Sequence, residues 1–168
     1  MKKVLEEFVK EVLYAYPLLK TVEKDYAEHI QNQAVLSYKS NLSTERLAEY
    51  IAEEIVESQR LAWLKRVVCE VLDKLDDLEK TMVSIRYFGK KRKDSLSAPF
   101  GKWSERTYFR EQERLGKKIG GMLTESGLTA GLFALWFAPT QLFETVHKYA
   151  KKRTDEVSVR EKRFLEDD

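Results

Sequence analysis

Ser104-Glu105-Arg106-Thr107-Tyr108-Phe109-Arg110-Glu111-Gln112-Glu113-Arg114-Leu115-Gly116-Lys117-Lys118-Ile119 is the stretch on which the reading of this chain turns. Tyr108, Leu115, Ile119 and Met122 or Leu123 return to one side of a helix, an apolar stripe with charges elsewhere. Ser104 suits the N-cap, where a hydroxyl oxygen accepts an otherwise unpaired backbone N–H. Arg106 and Arg110 are four residues apart and share a face. Tyr108 falls on the stripe and reads as core in preference to a stacking platform. Phe109 sits one position off it, with packing favoured over contact with a ligand.

The pattern upstream is helical as well. Asp76 and Glu79 form a capping-box-like pair at the start of a short helix that holds Met82, Val83, Ile85 and Tyr87-Phe88. Gly89 ends it, because glycine tolerates the left-handed conformation of a helix C-terminus. Lys90-Lys91-Arg92-Lys93 reads as a basic loop. Pro99 and Gly101 limit any helix between Ser95 and Trp103 to about one turn. Nearer the N-terminus, Val4 to Tyr16 carries one helical stripe, Pro17 closes or restarts the helix, and Leu18 to Tyr38 continues as a second. A third, capped by Ser43 or Thr44, keeps Leu47, Ile51, Ile55, Ala62, Val68, Leu72 and Leu75 on one stripe for about eight turns. Downstream, Gly127 separates the decisive helix from Leu128–Trp136. Pro139 breaks the chain again before a last helix with Leu142, Phe143, Val146 and Tyr149. The expectation is an all-α, multi-helix protein of about seven helices. It divides into an N-terminal helical region (1–74), a helix-turn-helix (75–123) and a C-terminal helical extension (124–168).

Composition agrees with a folded helical domain. The chain has 168 residues, 35% charged and 43% hydrophobic, too apolar for wholesale disorder. Seven glycines and three prolines argue against a loop-rich β sandwich. One cysteine, Cys69, excludes an intramolecular disulfide, and Glu6-Glu7 stand where a secretory signal needs an apolar core. The reading is therefore cytoplasmic. Cys69, beside Val68 and Val71, reads as a small buried hydrophobe. His29 and His147 read as surface residues, and the acids of the helix faces as solvating charges, so neither a metal, a cofactor nor a catalytic residue is expected. The uncharged run from Ser126 to Phe143 contains Pro139, Gln141, Thr129 and Thr140. Closing the core, a dimer interface across residues 128–146, and a membrane or protein contact compete for it, with membrane contact disfavoured.

Charge is segregated. Residues 1–85 have 12 basic and 16 acidic side chains, and residues 119–168 have 7 and 8. Between them, residues 86–118 have 11 basic against 4 acidic, a net +7 within a chain of net +2. Such a block is the electrostatic footprint of a polyanion-binding surface. A helix entering the major groove at its N-terminal end can place arginine against guanine, and Glu105 against cytosine. Ser104 and Thr107 can reach phosphate at the helix start. Lys90, Lys91, Arg92, Lys93 and Lys102 suit backbone contacts, which position without reading sequence.

Leu75-Asp76-Asp77-Leu78-Glu79-Lys80-Thr81-Met82-Val83-Ser84-Ile85-Arg86-Tyr87-Phe88 resembles the opening helix of the fourth conserved region of bacterial sigma factors. After fifteen residues, Ser104 to Ile119 resembles that region's recognition helix. The variant Ser-Glu-Arg-Thr-Tyr-Phe-Arg is more similar to ArpU-type transcriptional regulators of phages and Firmicutes. The resemblance covers about 45 of the 168 residues. Gln112 stands where the family usually carries an apolar residue. The resemblance implies a non-catalytic, sequence-specific transcriptional regulator that binds double-stranded DNA through Lys90, Lys91, Arg92, Lys93, Lys102, Ser104, Glu105, Arg106, Thr107 and Arg110. RNA polymerase is the second partner it implies. The alternative is a helical adaptor that binds polymerase or another protein without reading DNA.

Overall fold

The computed structural model describes residues 7–36, 43–89 and 103–166. Every secondary-structure element among them is a helix, as the periodicity predicts: α1 (Glu7–Leu36), α2 (Thr44–Asp73), α3 (Asp77–Tyr87), α4 (Glu105–Glu125), α5 (Ala130–Trp136) and α6 (Gln141–Glu166). That is six helices in place of about seven. The difference lies at Pro17, which neither closes nor restarts a helix: α1 runs through it for 30 residues. An interior proline forfeits the bond to the carbonyl four residues back and crowds that turn, at a cost of ~3 kcal/mol. Leu13 and Leu19, on either side of it, are both fully buried.

The chain forms two compact units, and the division falls inside α1 beside that proline. One unit is Tyr16–Leu75; the other joins the start of α1, up to Ala15, to everything from Asp76 onward.

In the first-named unit the later part of α1 lies against α2. Ser43 caps α2, its side chain accepting from the Arg46 N–H at 3.3 Å. Polar ties cross the hairpin: the Tyr26 hydroxyl donates to Glu57 at 2.9 Å, Lys65 reaches Glu23 at 3.1 Å, and His29 reaches Glu54 at 3.0 Å. Burial and the Glu57 carboxylate push the Tyr26 phenol up to about 12. The α2 stripe read from sequence is only partly the buried one. Val68 and Leu75 are buried, but Ile55 is exposed, and Leu61, Leu64, Val67 and Val71 complete the buried set. Cys69 is exposed, contrary to expectation. It follows buried Val68 directly, but one residue turns a helix by about 100°, and its thiol lies 3.9 Å from the Asp73 carboxylate.

The other unit has an aromatic core. Phe133 of α5 meets Phe8 of α1 at 5.6 Å between ring centroids and Phe143 of α6 edge-on at 5.1 Å; Phe137 packs on both Phe133 and Phe143. These rings close the core, so most of the apolar weight of residues 128–146 faces inward. Leu135, at 71% exposure, is the large exception. Tyr14 lies edge-on to both Tyr87 and Tyr149. Burial pushes the Tyr87 phenol up to about 12. Glu11 is buried, and its carboxylate meets Nδ1 of the half-exposed His147.

The stop signals of the sequence are realised. Gly89 and Gly127 take φ of 75° and 103°. After α4, the Leu128 N–H bonds the Leu123 carbonyl at 3.0 Å, and the Gly127 N–H bonds that of Thr124 at 3.1 Å. This is a Schellman closure, with fully buried Leu123 and Leu128 as its apolar pair. Between α5 and α6 stands Pro139, and the Thr140 hydroxyl accepts the Phe143 N–H. Among the described residues, no helix is long and apolar enough to cross a membrane.

Candidate nucleic-acid interface

α4 begins at Ser104, whose backbone is extended (φ −65°, ψ 156°) and whose oxygen accepts the Thr107 N–H at 3.2 Å. Its hydroxyl also lies 2.9 Å from that of Thr107. Ser104 is therefore first a cap. The two hydroxyls share one hydrogen bond, which leaves the other hydroxyl hydrogen at the mouth of the helix for an incoming acceptor.

The helix has two distinct sides. Tyr108, Gln112, Leu115, Ile119 and Leu123 are buried on one. At about 100° per residue, Arg106, Arg110 and Lys117 fall within about 40° of one another on the opposite side, and all three are exposed. Arg114 pairs with Glu111 at 3.4 Å, and Lys118 with Glu79 at 2.9 Å. No such acid partner holds Arg106, Arg110 or Lys117 among the described residues. Lys117 belongs with the two arginines. Its helical phase carried that signal. Tyr108 is core, and Phe109, half-buried, lies edge-on to it at 5.7 Å.

Gln112 explains how this face is aimed. It is only 4% exposed, and its amide nitrogen donates to the Met82 carbonyl of α3 and to the Tyr108 hydroxyl, each at 3.0 Å. A buried amide without partners costs roughly 1–3 kcal/mol, so Gln112 is a directional tie between α3 and α4. A second tie lies at the surface. Glu79 completes the capping box of α3, accepting the Asp76 N–H at 3.2 Å while the Asp76 carboxylate accepts the Glu79 N–H at 2.8 Å. Both Glu79 oxygens also receive the Lys118 ammonium, at 3.0 and 2.9 Å. Lys118 is thus structural. Beside these ties runs a groove of about 330 Å³, with Met82, Leu115 and Trp103 among its walls.

Of the residues singled out from sequence, Arg106, Thr107 and Arg110 stand together on the first two turns of α4 behind Ser104. Glu105 is the first residue of the helix. Lys90, Lys91, Arg92, Lys93 and Lys102, with the turn around Pro99 and Gly101, lie outside the described residues. The Gln112 and Lys118 ties were not legible beforehand, because their partners lie 30 and 39 residues away. No protein-family model, characterised protein or solved structure matches this chain.

Proposed function

We propose that the chain is a sequence-specific, DNA-binding transcriptional regulator that presents the first turns of α4 to the major groove. One observation carries this reading: Arg106, Arg110 and Lys117 form a cationic face, without an ion partner among the described residues, opposite the side of α4 that Tyr108, Gln112 and Leu115 anchor in the core. In this arrangement Arg106 and Arg110 contact base edges or the adjoining phosphates. Lys117, a turn or more further on, contacts backbone. The bases Lys90, Lys91, Arg92, Lys93 and Lys102 add phosphate contacts by their place in the sequence. Six such contacts give a slope of log affinity on log salt of about −5.

The test is selection of bound duplexes from a random pool at two salt concentrations, repeated with the double variant Arg106→Glu, Arg110→Glu. An enriched motif is expected, with binding that weakens as salt rises. The variant is expected to lose about a hundredfold or more in affinity, through two lost contacts of ~1–3 kcal/mol each. It should keep its far-ultraviolet helical signal, since both arginines are exposed. A pool that stays random overturns the reading. The groove between α3 and α4 favours the competing adaptor, in which an apolar side chain of RNA polymerase would rest on Met82 and Leu115. Under that reading the double variant still co-purifies with polymerase, and enlarging the groove wall by Leu78→Trp abolishes the association.

A further inference from the structure

The N-terminal half of α2 carries an apolar stripe that the fold leaves uncovered. Ala48, Ala52, Ile55 and Val56 are exposed, Ile55 by 40% and Val56 by 42%, and half-buried Trp63 continues the line. The helical phase of this stripe differs from that of Leu61, Leu64, Val68 and Val71, which are buried. A helix with one neighbour needs one apolar stripe, and a second stripe calls for a second neighbour.

We propose that the second neighbour is the same helix of a second copy, antiparallel, with the two-fold axis between Ile55 and Val56. Glu45, Ala52, Gln59 and Arg66 recur every seven residues and therefore lie along one line down the stripe. All are exposed where their side chains are described, and neither Glu45 nor Arg66 has an ion partner among the described residues. Parallel pairing would set Glu45 against Glu45 and Arg66 against Arg66. Antiparallel pairing sets each Glu45 against the partner's Arg66. That single match fixes the register and with it every other layer. Ala48 then opposes the partner's Trp63, a small residue against a large one, and Ala52 opposes the partner's Gln59. Ile55 opposes the partner's Val56 on each side of the axis. The contact is self-complementary, as a closed dimer requires. At about four turns it is smaller than a standard interface of ~1,200–2,000 Å², so the dimer is a micromolar one.

Sedimentation equilibrium of the full chain, from about 1 to about 300 µM to bracket that range, tests the proposal. A reversible monomer–dimer equilibrium is expected, and Val56→Asp should leave only monomer. Glu45→Arg and Arg66→Glu should each weaken the dimer roughly fivefold, and combining the two reversals should restore it to within about twofold. Leu135→Glu, on the exposed side chain of α5, should change nothing. A chain that is monomeric throughout, a dimer indifferent to Val56→Asp, a dimer broken by Leu135→Glu, or a charge reversal without recovery would each overturn it.

Discussion

The two units are stabilised by different means. The unit that carries α4 closes on rings: Phe8, Phe133, Phe137 and Phe143 pack within 5.1 to 6.1 Å of a neighbour, and its buried polar groups Gln112 and Glu11 have named partners. The helical hairpin of the other unit has no buried side chain from Glu45 to Arg60 among the described residues. There it relies on half-buried contacts and on ties such as Tyr26 to Glu57. Exposed hydrogen bonds and ion pairs add little, whereas buried rings add much. One unit therefore closes on a buried aromatic core, and the far half of the other leaves apolar side chains such as Ile55 and Val56 at its surface.

Three measurements break or sharpen this contrast. The largest effect is expected from Phe133→Ala, which empties the meeting point of α1, α5 and α6 and should lose about 3–5 kcal/mol in denaturant unfolding. Val22→Ala, a half-buried site of the hairpin, should lose about 1 kcal/mol or less. Equal losses would erase the distinction between the units. Next comes Gln112→Leu, which keeps the volume but removes the donor. That removes the hydrogen bonds to the Met82 carbonyl and the Tyr108 hydroxyl, and about 1–3 kcal/mol should be lost for the two. A neutral result would mean that the amide does not tie α3 to α4.

The effect of Tyr26→Phe is also small, about 1 kcal/mol at neutral pH, and its signature is its pH dependence. The phenol is held from its ordinary 10.0 up to about 12 in the folded chain by burial and by Glu57. A raised folded value means that the contribution is complete below the unfolded value and is lost as pH rises through the folded one. The stability difference between the natural chain and Tyr26→Phe should therefore be constant below about pH 10 and shrink toward pH 12. A gap that stays constant across that window would show that the tie to Glu57 does not hold the phenol.

Much of the fold was legible because its signals are local. Asp76 and Glu79 cap α3, Gly89 and Gly127 take positive φ, and Pro139 stands between α5 and α6. What failed depended on sums over distance. Pro17 carries a local penalty, yet α1 runs through it. Cys69 borrowed an inward reading from Val68, although adjacent helical residues face different ways. In the site, the shared face of Arg106 and Arg110 followed from spacing alone, but whether an acid such as Glu113 holds them did not. The pairing of Lys118 with Glu79 and the partners of Gln112 needed two helices to be brought together.

The Gln112 tie has one more consequence. The rotation of α4 about its axis is fixed by its buried side, where the Gln112 amide meets α3, and by the Lys118–Glu79 pair, and by none of Arg106, Arg110 and Lys117. Arg106, Arg110 and Lys117 can therefore be exchanged for other side chains without re-aiming the helix. The outer face of α4 behaves as an interchangeable cassette. A lineage of such chains could change what it recognises through a few surface substitutions while the interior stays the same.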